Sequence, residues 1–184
     1  MTPARPDPSR SLPHARAARP RGRGAAGNAP GRFERYGREA VDDGWGPADP
    51  DEALPPLRTE LAEERVRTIL TRNTSPDLSF DRSINPYRGC EHGCVYCFAR
   101  PSHAYLGLSP GLDFETRLTV KPDAAAALDR ELRRPGYAPA PVAIGTNTDA
   151  YQPVERERRV MRAVLEVLQA FRHPVAVVTK GSLV

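Results

Sequence analysis

The chain has 184 residues, a formal charge of +4, and 27% charged against 39% hydrophobic side chains. That length allows one domain with a substantial core but not two large ones. No apolar run reaches the roughly 18–20 residues of a membrane span and no apolar signal segment opens the chain, so a cytoplasmic protein without membrane contact is expected.

Residues 1–31 are almost free of large apolar side chains and cannot bury enough surface to offset the entropy of ordering. Residues 1–40 hold nine arginines against Asp7, Glu34 and Glu39. Prolines 3, 6, 8, 13 and 20 interrupt any amphipathic transit helix. A disordered basic tail over 1–40 is expected. Within it, arginines interleaved with Phe33 and Tyr36 suit contact with nucleic acid, phosphates by charge and bases by stacking. A plain solvated tail is the competing reading. Of the 27 basic residues only Lys121 and Lys180 are lysine, so codon composition also accounts for the charge. Residues 41–78 read as an acidic, proline-rich linker with a short helix over 60–70, where Leu61, Val66, Ile69 and Leu70 fall roughly on one face.

From residue 79 the signals alternate between strand and helix. Residues 79–85 form a first strand candidate, stopped by Pro86. Residues 116–121 form a second, followed by a helix start at Pro122 with Asp123 as N-cap. Residues 141–148 are the third. Pro153 opens a longer helix in which Val160, Val164, Val167, Leu168 and Phe171 recur at three- and four-residue steps. Residues 174–180 are the fourth strand. Strands three and four are apolar on consecutive residues, as parallel strands covered on both faces are. The order predicts an α/β fold with a parallel sheet, open or curled into a partial barrel. Chemistry in such folds gathers at the C-terminal strand ends. The cysteine loop, "TNTD" and "TKGS" all fall there.

Every cysteine lies in "RGCEHGCVYC": Cys90, Cys94 and Cys97. Three cannot pair within one chain, and the spacing suits a metal better than a disulfide. Gly89 and Gly93 let the backbone turn closely and aim amides at the sulfurs. A structural zinc takes four ligands, and the only candidates for a fourth are His92 and His103. An iron–sulfur cube held by three cysteines leaves one iron open to a small molecule. Both metals stay in play from the residues alone.

The C-x3-C-x2-C spacing with Tyr96 before the last cysteine resembles the signature of the radical SAM superfamily. "SFDRSINPYRGCEHGCVYCFARPSHAYLGLSPGLDFETRL", "TNTDAYQPVE", "VTKGSLV" and "RGRGAAGNAPGRFE" resemble uncharacterised bacterial proteins grouped near spore photoproduct lyase. The resemblance implies a [4Fe–4S] cluster on Cys90, Cys94 and Cys97, with S-adenosylmethionine on the fourth iron. It implies reductive cleavage of that cofactor to a 5′-deoxyadenosyl radical, and an electron donor of flavodoxin or ferredoxin type. Tyr96 is then expected beside the adenine. The glycine-rich "GGE" of the superfamily is absent. Thr148 and Asp149, preceded by Thr146 and Asn147, stand in its place as acceptors for the methionyl ammonium. Lys180 would pair with the cofactor carboxylate. A turn or cap role for Asp149 and a solvated strand end for Lys180 are the alternatives.

Arg88, His92, His103 and Tyr105 are candidates for the substrate side, and His173 reads as a helix-end residue. A barrel of this type has six β/α units, and residues 79–184 provide about four, so a truncated chain is expected. The substrate is open, with nucleic acid suggested by the tail. A non-catalytic metal-binding module with a nucleic-acid-binding tail is the alternative.

Overall fold

The computed structural model describes residues 22–37 and 56–183. The chain forms β1 (Glu60–Glu63), β2 (Thr71–Arg72), β3 (Arg82–Ile84), β4 (Tyr87–Arg88), a 3-10 helix (Arg100–Leu106), α1 (Asp113–Thr116) and β5 (Arg117–Val120). It continues with α2 (Ala124–Leu132), β6 (Val142–Ile144), α3 (Glu155–Arg158), α4 (Val160–Ala170) and β7 (Val175–Val177). This is a mixed α/β arrangement with two small sheets.

The larger sheet runs β2-β3-β6-β7, with β3, β6 and β7 parallel and β2 antiparallel at one edge. Ile84 stands opposite Ile144, which stands opposite Val177. The smaller sheet runs β1-β5-β4, with β1 parallel and β4 antiparallel to β5. Among the described residues neither sheet closes on itself.

All four expected strands form, but the second does not join the other three. Pro86 and the turn after β3 carry the chain out of the larger sheet, so β4 meets β5 instead: Tyr87 pairs with Val120 and Arg88 with Thr119. One core nevertheless serves both sheets, with Ile84, Val142 and Ile144 in the same cluster as Tyr87 and Val120. Leu128 of α2 and Met161, Val164 and Leu168 of α4 complete it, and α2 packs against α4.

Three local expectations are corrected. The helix expected over 60–70 is absent, because β1 pairs along its whole length with β5 and its backbone hydrogen bonds are used between strands. Four weakly periodic apolar residues did not outweigh that pairing. Asp123 does not cap α2 with its side chain; its carboxylate accepts from the Val66 amide at 3.1 and 3.2 Å and holds the segment before β2 in place. The longer helix after Pro153 breaks at Arg159, whose φ is 50°. Buried Glu155 makes that break tolerable: it accepts from the amides of Met161 and Arg162 at the start of α4 and from the Tyr87 hydroxyl.

β6 is buried along its length, as expected of a strand covered on both faces. β7 is not, since Val175 is 40% and Val177 39% exposed. Among the described residues β6 is the only strand beside it. No helix among the described residues is long and apolar enough to cross a membrane.

Candidate functional site

The cysteine loop begins where β4 ends. Gly89 (φ 75°) and Gly93 (φ 60°) occupy left-handed conformations, which glycine adopts at little cost. The Cys90 amide donates to Phe114 O at 2.8 Å, and the Gly93 and Cys97 amides close turns onto Cys90 O and Cys94 O. Cys90 is buried, whereas Cys94 and Cys97 are half-buried, and all three are free thiols.

The loop is tied down by side chains that sequence reasoning did not single out. Glu91 accepts from the Thr59 hydroxyl (2.7 Å) and the Val154 amide (3.0 Å), and its own amide donates to Gln152 Oε1 at 3.0 Å. Gln152, with no exposed surface, donates to Gly89 O. Arg100 donates to Cys94 O and Gly93 O, both at 2.9 Å. Glu91, Gln152 and Arg100 all lie in the segments that carry the superfamily resemblance, but nothing in their spacing announces a role.

The loop faces the ends of β6 and β7 across a cleft of about 300 Å³, lined by Cys90, Cys94, Tyr96, Cys97, Thr146, Asn147, Thr148, Asp149 and Lys180. Three segments far apart in sequence thus meet at one place. Their side chains are not equally free. The Thr148 hydroxyl, buried, donates to Tyr87 O at 2.8 Å. Asn147 is held through its amide by Asn85 Oδ1 (3.1 Å). Tyr96 is 81% exposed at the cleft mouth, beside Phe98 at 79%. Thr146 stays partly open.

Asp149 fastens the two strand ends together. Oδ1 accepts from the Tyr151 amide (2.8 Å), forming the turn that the alternative anticipated, and from the Thr179 hydroxyl (2.7 Å). Oδ2 accepts from the Lys180 amide at 2.8 Å. Burial pushes this carboxyl up, but the Lys180, Thr179 and Tyr151 donors outweigh it and leave it below the usual carboxylate range. The Lys180 ammonium donates to Cys94 Sγ at 2.8 Å and lies 5.9 Å from the Tyr96 ring centroid. That sulfur contact holds the ammonium above its ordinary range. Burial pushes the Cys90 thiol up to about 11.

The remaining candidates scatter. His92 lines a neighbouring cleft with Tyr151 and Arg156; its Nε2 is buried without a hydrogen bond, 3.5 Å from Asp149. His103, expected as a possible fourth ligand, is buried beside Gly89 and does not line the cleft. It makes an edge contact with Phe114 and bonds Arg117 O at 3.0 Å. Arg88 pairs with Glu64 at 2.9 Å. Tyr105 packs against Phe33 on the surface. His173 accepts or donates with the Tyr137 hydroxyl at 2.7 Å, beyond the end of α4.

Residues 22–31, expected within a disordered tail, are instead docked against Gly93 of this loop and against the segment from Ser109 to Glu115. The Leu112 amide donates to Gly27 O (3.1 Å), Asn28 exchanges hydrogen bonds with Asp113, and the Ser109 hydroxyl donates to Ala29 O. Glycine content allows the backbone contact: a Cβ on Gly24 would stand 1.9 Å from Gly93 O. The rest of the expected tail, and linker residues 41–55, lie outside the described residues.

Among the described residues, no three His, Cys, Asp or Glu side chains converge closely enough to hold one metal ion. Cys90, Cys94 and Cys97 all line the open cleft as free thiols. No family model matches the chain, and no solved structure matches it significantly. Uncharacterised proteins of Mycobacterium bovis and of two Mycobacterium tuberculosis strains are each 41% identical to it, in alignments of 165 residues that take in 81% of this chain and 48% of the relative. The chain spans about half the length of the curated relatives it matches.

Proposed function

We propose that the chain carries the cluster- and cofactor-binding part of a radical SAM enzyme. The observation behind this reading is the single cleft that brings Cys90, Cys94 and Cys97 together with Gly145, Thr146, Asn147, Thr148, Asp149 and Lys180. Cys90, Cys94 and Cys97 would hold a [4Fe–4S] cluster, which with S-adenosylmethionine supplies a 5′-deoxyadenosyl radical when reduced.

The chain's own residues have separable tasks. Lys180 brings a positive charge to the cleft and would meet the cofactor carboxylate. Tyr96 offers an exposed ring face at the mouth, suited to stacking an adenine. Asp149 holds the ends of β6 and β7 in register, so the backbone from Gly145 to Asp149 forms a fixed wall. Its own oxygens are largely occupied, which leaves the backbone and Thr146 as the freer acceptors for an ammonium. Free thiols and a cluster of this kind belong in a reducing compartment, so we place the protein in the cytoplasm, served by a flavodoxin- or ferredoxin-type donor. Nucleic acid is the substrate class to test first, on the exposed rings of Phe33, Tyr36 and Tyr105 with Arg32 above two of them.

The test is anaerobic reconstitution followed by iron, sulfide and zinc analysis, then dithionite-driven release of 5′-deoxyadenosine. Iron and sulfide in near-equal amounts, with 5′-deoxyadenosine lost in Cys94→Ala, is the expected result. Stoichiometric zinc without sulfide would defeat the proposal. A nucleic-acid substrate further requires affinity that falls steeply with salt.

A further inference from the structure

Glu115 has no exposed surface although it carries a carboxylate. It accepts from the backbone amides of Gly24 and Ala25, each at 2.9 Å, and pairs with the Arg100 guanidinium. Leaving a buried charge without partners is strongly unfavourable, so these contacts are obligatory for the fold around it. Arg100 uses its remaining donors on four backbone carbonyls: Gly93 and Cys94 in the cysteine loop, Pro110 and Gly111 before α1. One planar cation therefore grips two successive carbonyls beside a cysteine, while Glu115 balances its charge.

The N-terminal segment closes the arrangement from outside. Gly24 abuts Gly93 so closely that no side chain fits. Arg23 donates to Glu115 O (2.9 Å), Leu57 O (2.8 Å) and the Thr59 hydroxyl (3.1 Å). Farther along, Gly27, Asn28 and Ala29 bond Leu112, Asp113 and Ser109. The segment crosses the loop and is pinned on both sides of it.

We propose that residues 22–31 form a strap, and that Glu115 and Arg100 are positioning residues through which it fixes the Gly93–Cys94 backbone and so the loop's capacity to retain an iron–sulfur cluster. This rests on the iron–sulfur reading above. The strap is part of the site, although it lies more than sixty positions from Cys94.

A matched pair of glycine substitutions tests it in the full chain. Gly24→Ala places a Cβ against Gly93 O, whereas Gly27→Ala meets nothing within 4 Å. After reconstitution with iron and sulfide, Gly27→Ala should behave as wild type. Gly24→Ala and Glu115→Gln should lose cluster to a chelator about 10-fold faster or more, the range for partners that orient metal ligands. The electron paramagnetic resonance spectrum of the reduced cluster should shift as well. Circular dichroism and thermal unfolding of the apo-proteins show whether each variant folds. If Gly24→Ala does not, Arg100→Lys carries the test, since it keeps a cation beside Glu115 but loses the fork to the carbonyls. Folded Gly24→Ala or Arg100→Lys protein with wild-type retention and spectrum overturns the proposal. A wild-type chain that takes up no iron or sulfide defeats the iron–sulfur reading instead. Alkylation of Cys94 in the apo-protein then decides whether the strap fixes the loop: faster in Gly24→Ala than in Gly27→Ala supports it, equal rates overturn it.

Discussion

The Lys180 ammonium lies 2.8 Å from Cys94 Sγ, joining the end of β7 to a loop 86 positions earlier. It is exposed, so the contact directs a mobile cation rather than building the core. Lys180→Met keeps the apolar stem and removes the charge. Iron and sulfide uptake should persist in this variant. Equilibrium binding of S-adenosylmethionine should weaken by about 10-fold, as loss of a hydrogen bond to a charged group does. Unchanged affinity would remove Lys180 from the site.

Asp149 joins β6 to β7 with hydrogen bonds to Tyr151, Thr179 and Lys180. Asp149→Ala leaves these donors unpaired and should lower unfolding free energy by about 2–4 kcal/mol. Asp149→Asn retains one acceptor oxygen and should lose less. Chemical denaturation of both variants checks the order; equal stability of Asp149→Ala and wild type would show that the strand ends are held by the sheet alone.

Gly145 and Gly136 both have positive φ, 85° and 78°, but differ in surroundings. A Cβ on Gly145 would stand 2.0 Å from Val178 O, whereas one on Gly136 meets nothing within 4 Å. Gly136→Ala should cost about 1–2 kcal/mol, the conformational penalty alone. Gly145→Ala adds overpacking against β7 and should cost about 2–5 kcal/mol. The same denaturation series compares them, and similar losses would mean that the chain after β7 yields easily.

Burial pushes the His103 imidazole below its ordinary range. The unfolded chain binds that proton at about pH 6.5, and the folded chain only at lower pH. Unfolding therefore takes up a proton between the two values. Stability from this group is complete above about pH 6.5 and falls as the pH drops toward the folded value, by up to about 1.4 kcal/mol per pH unit. His103→Gln should flatten that part of the stability profile between pH 5 and 7. An unaltered slope would assign the effect to another group.

The cysteine spacing, the strand candidates and the polar residues after strands three and four could all be found in the sequence, because each depends on local pattern. Consecutive apolar runs, a period-3.6 run, prolines at element starts and three thiols within eight positions are short-range signals. Given a sheet, they also place Thr146, Asn147, Thr148, Asp149 and Lys180 near the cysteines, since parallel strand ends share an edge. What failed was pairing and partner choice. Whether residues 60–63 form a helix or a strand depended on β5, more than fifty positions away. Asp123 faced a choice between capping its own helix and bonding Val66, and the free amide of a distant segment prevailed.

The sequence by itself determined where the three cysteines stand and which end of the strands the polar residues occupy. Only the tertiary structure decided that Thr148 and Asp149 use their oxygens on the protein, that His103 packs beside Gly89 without lining the cleft, and that residues 22–31 lie against the loop. The physical reason is burial. A polar group taken from water accepts whichever partner the packed chain brings within reach, and nothing in the neighbouring residues of Glu115 foretells that its partners are Gly24, Ala25 and Arg100.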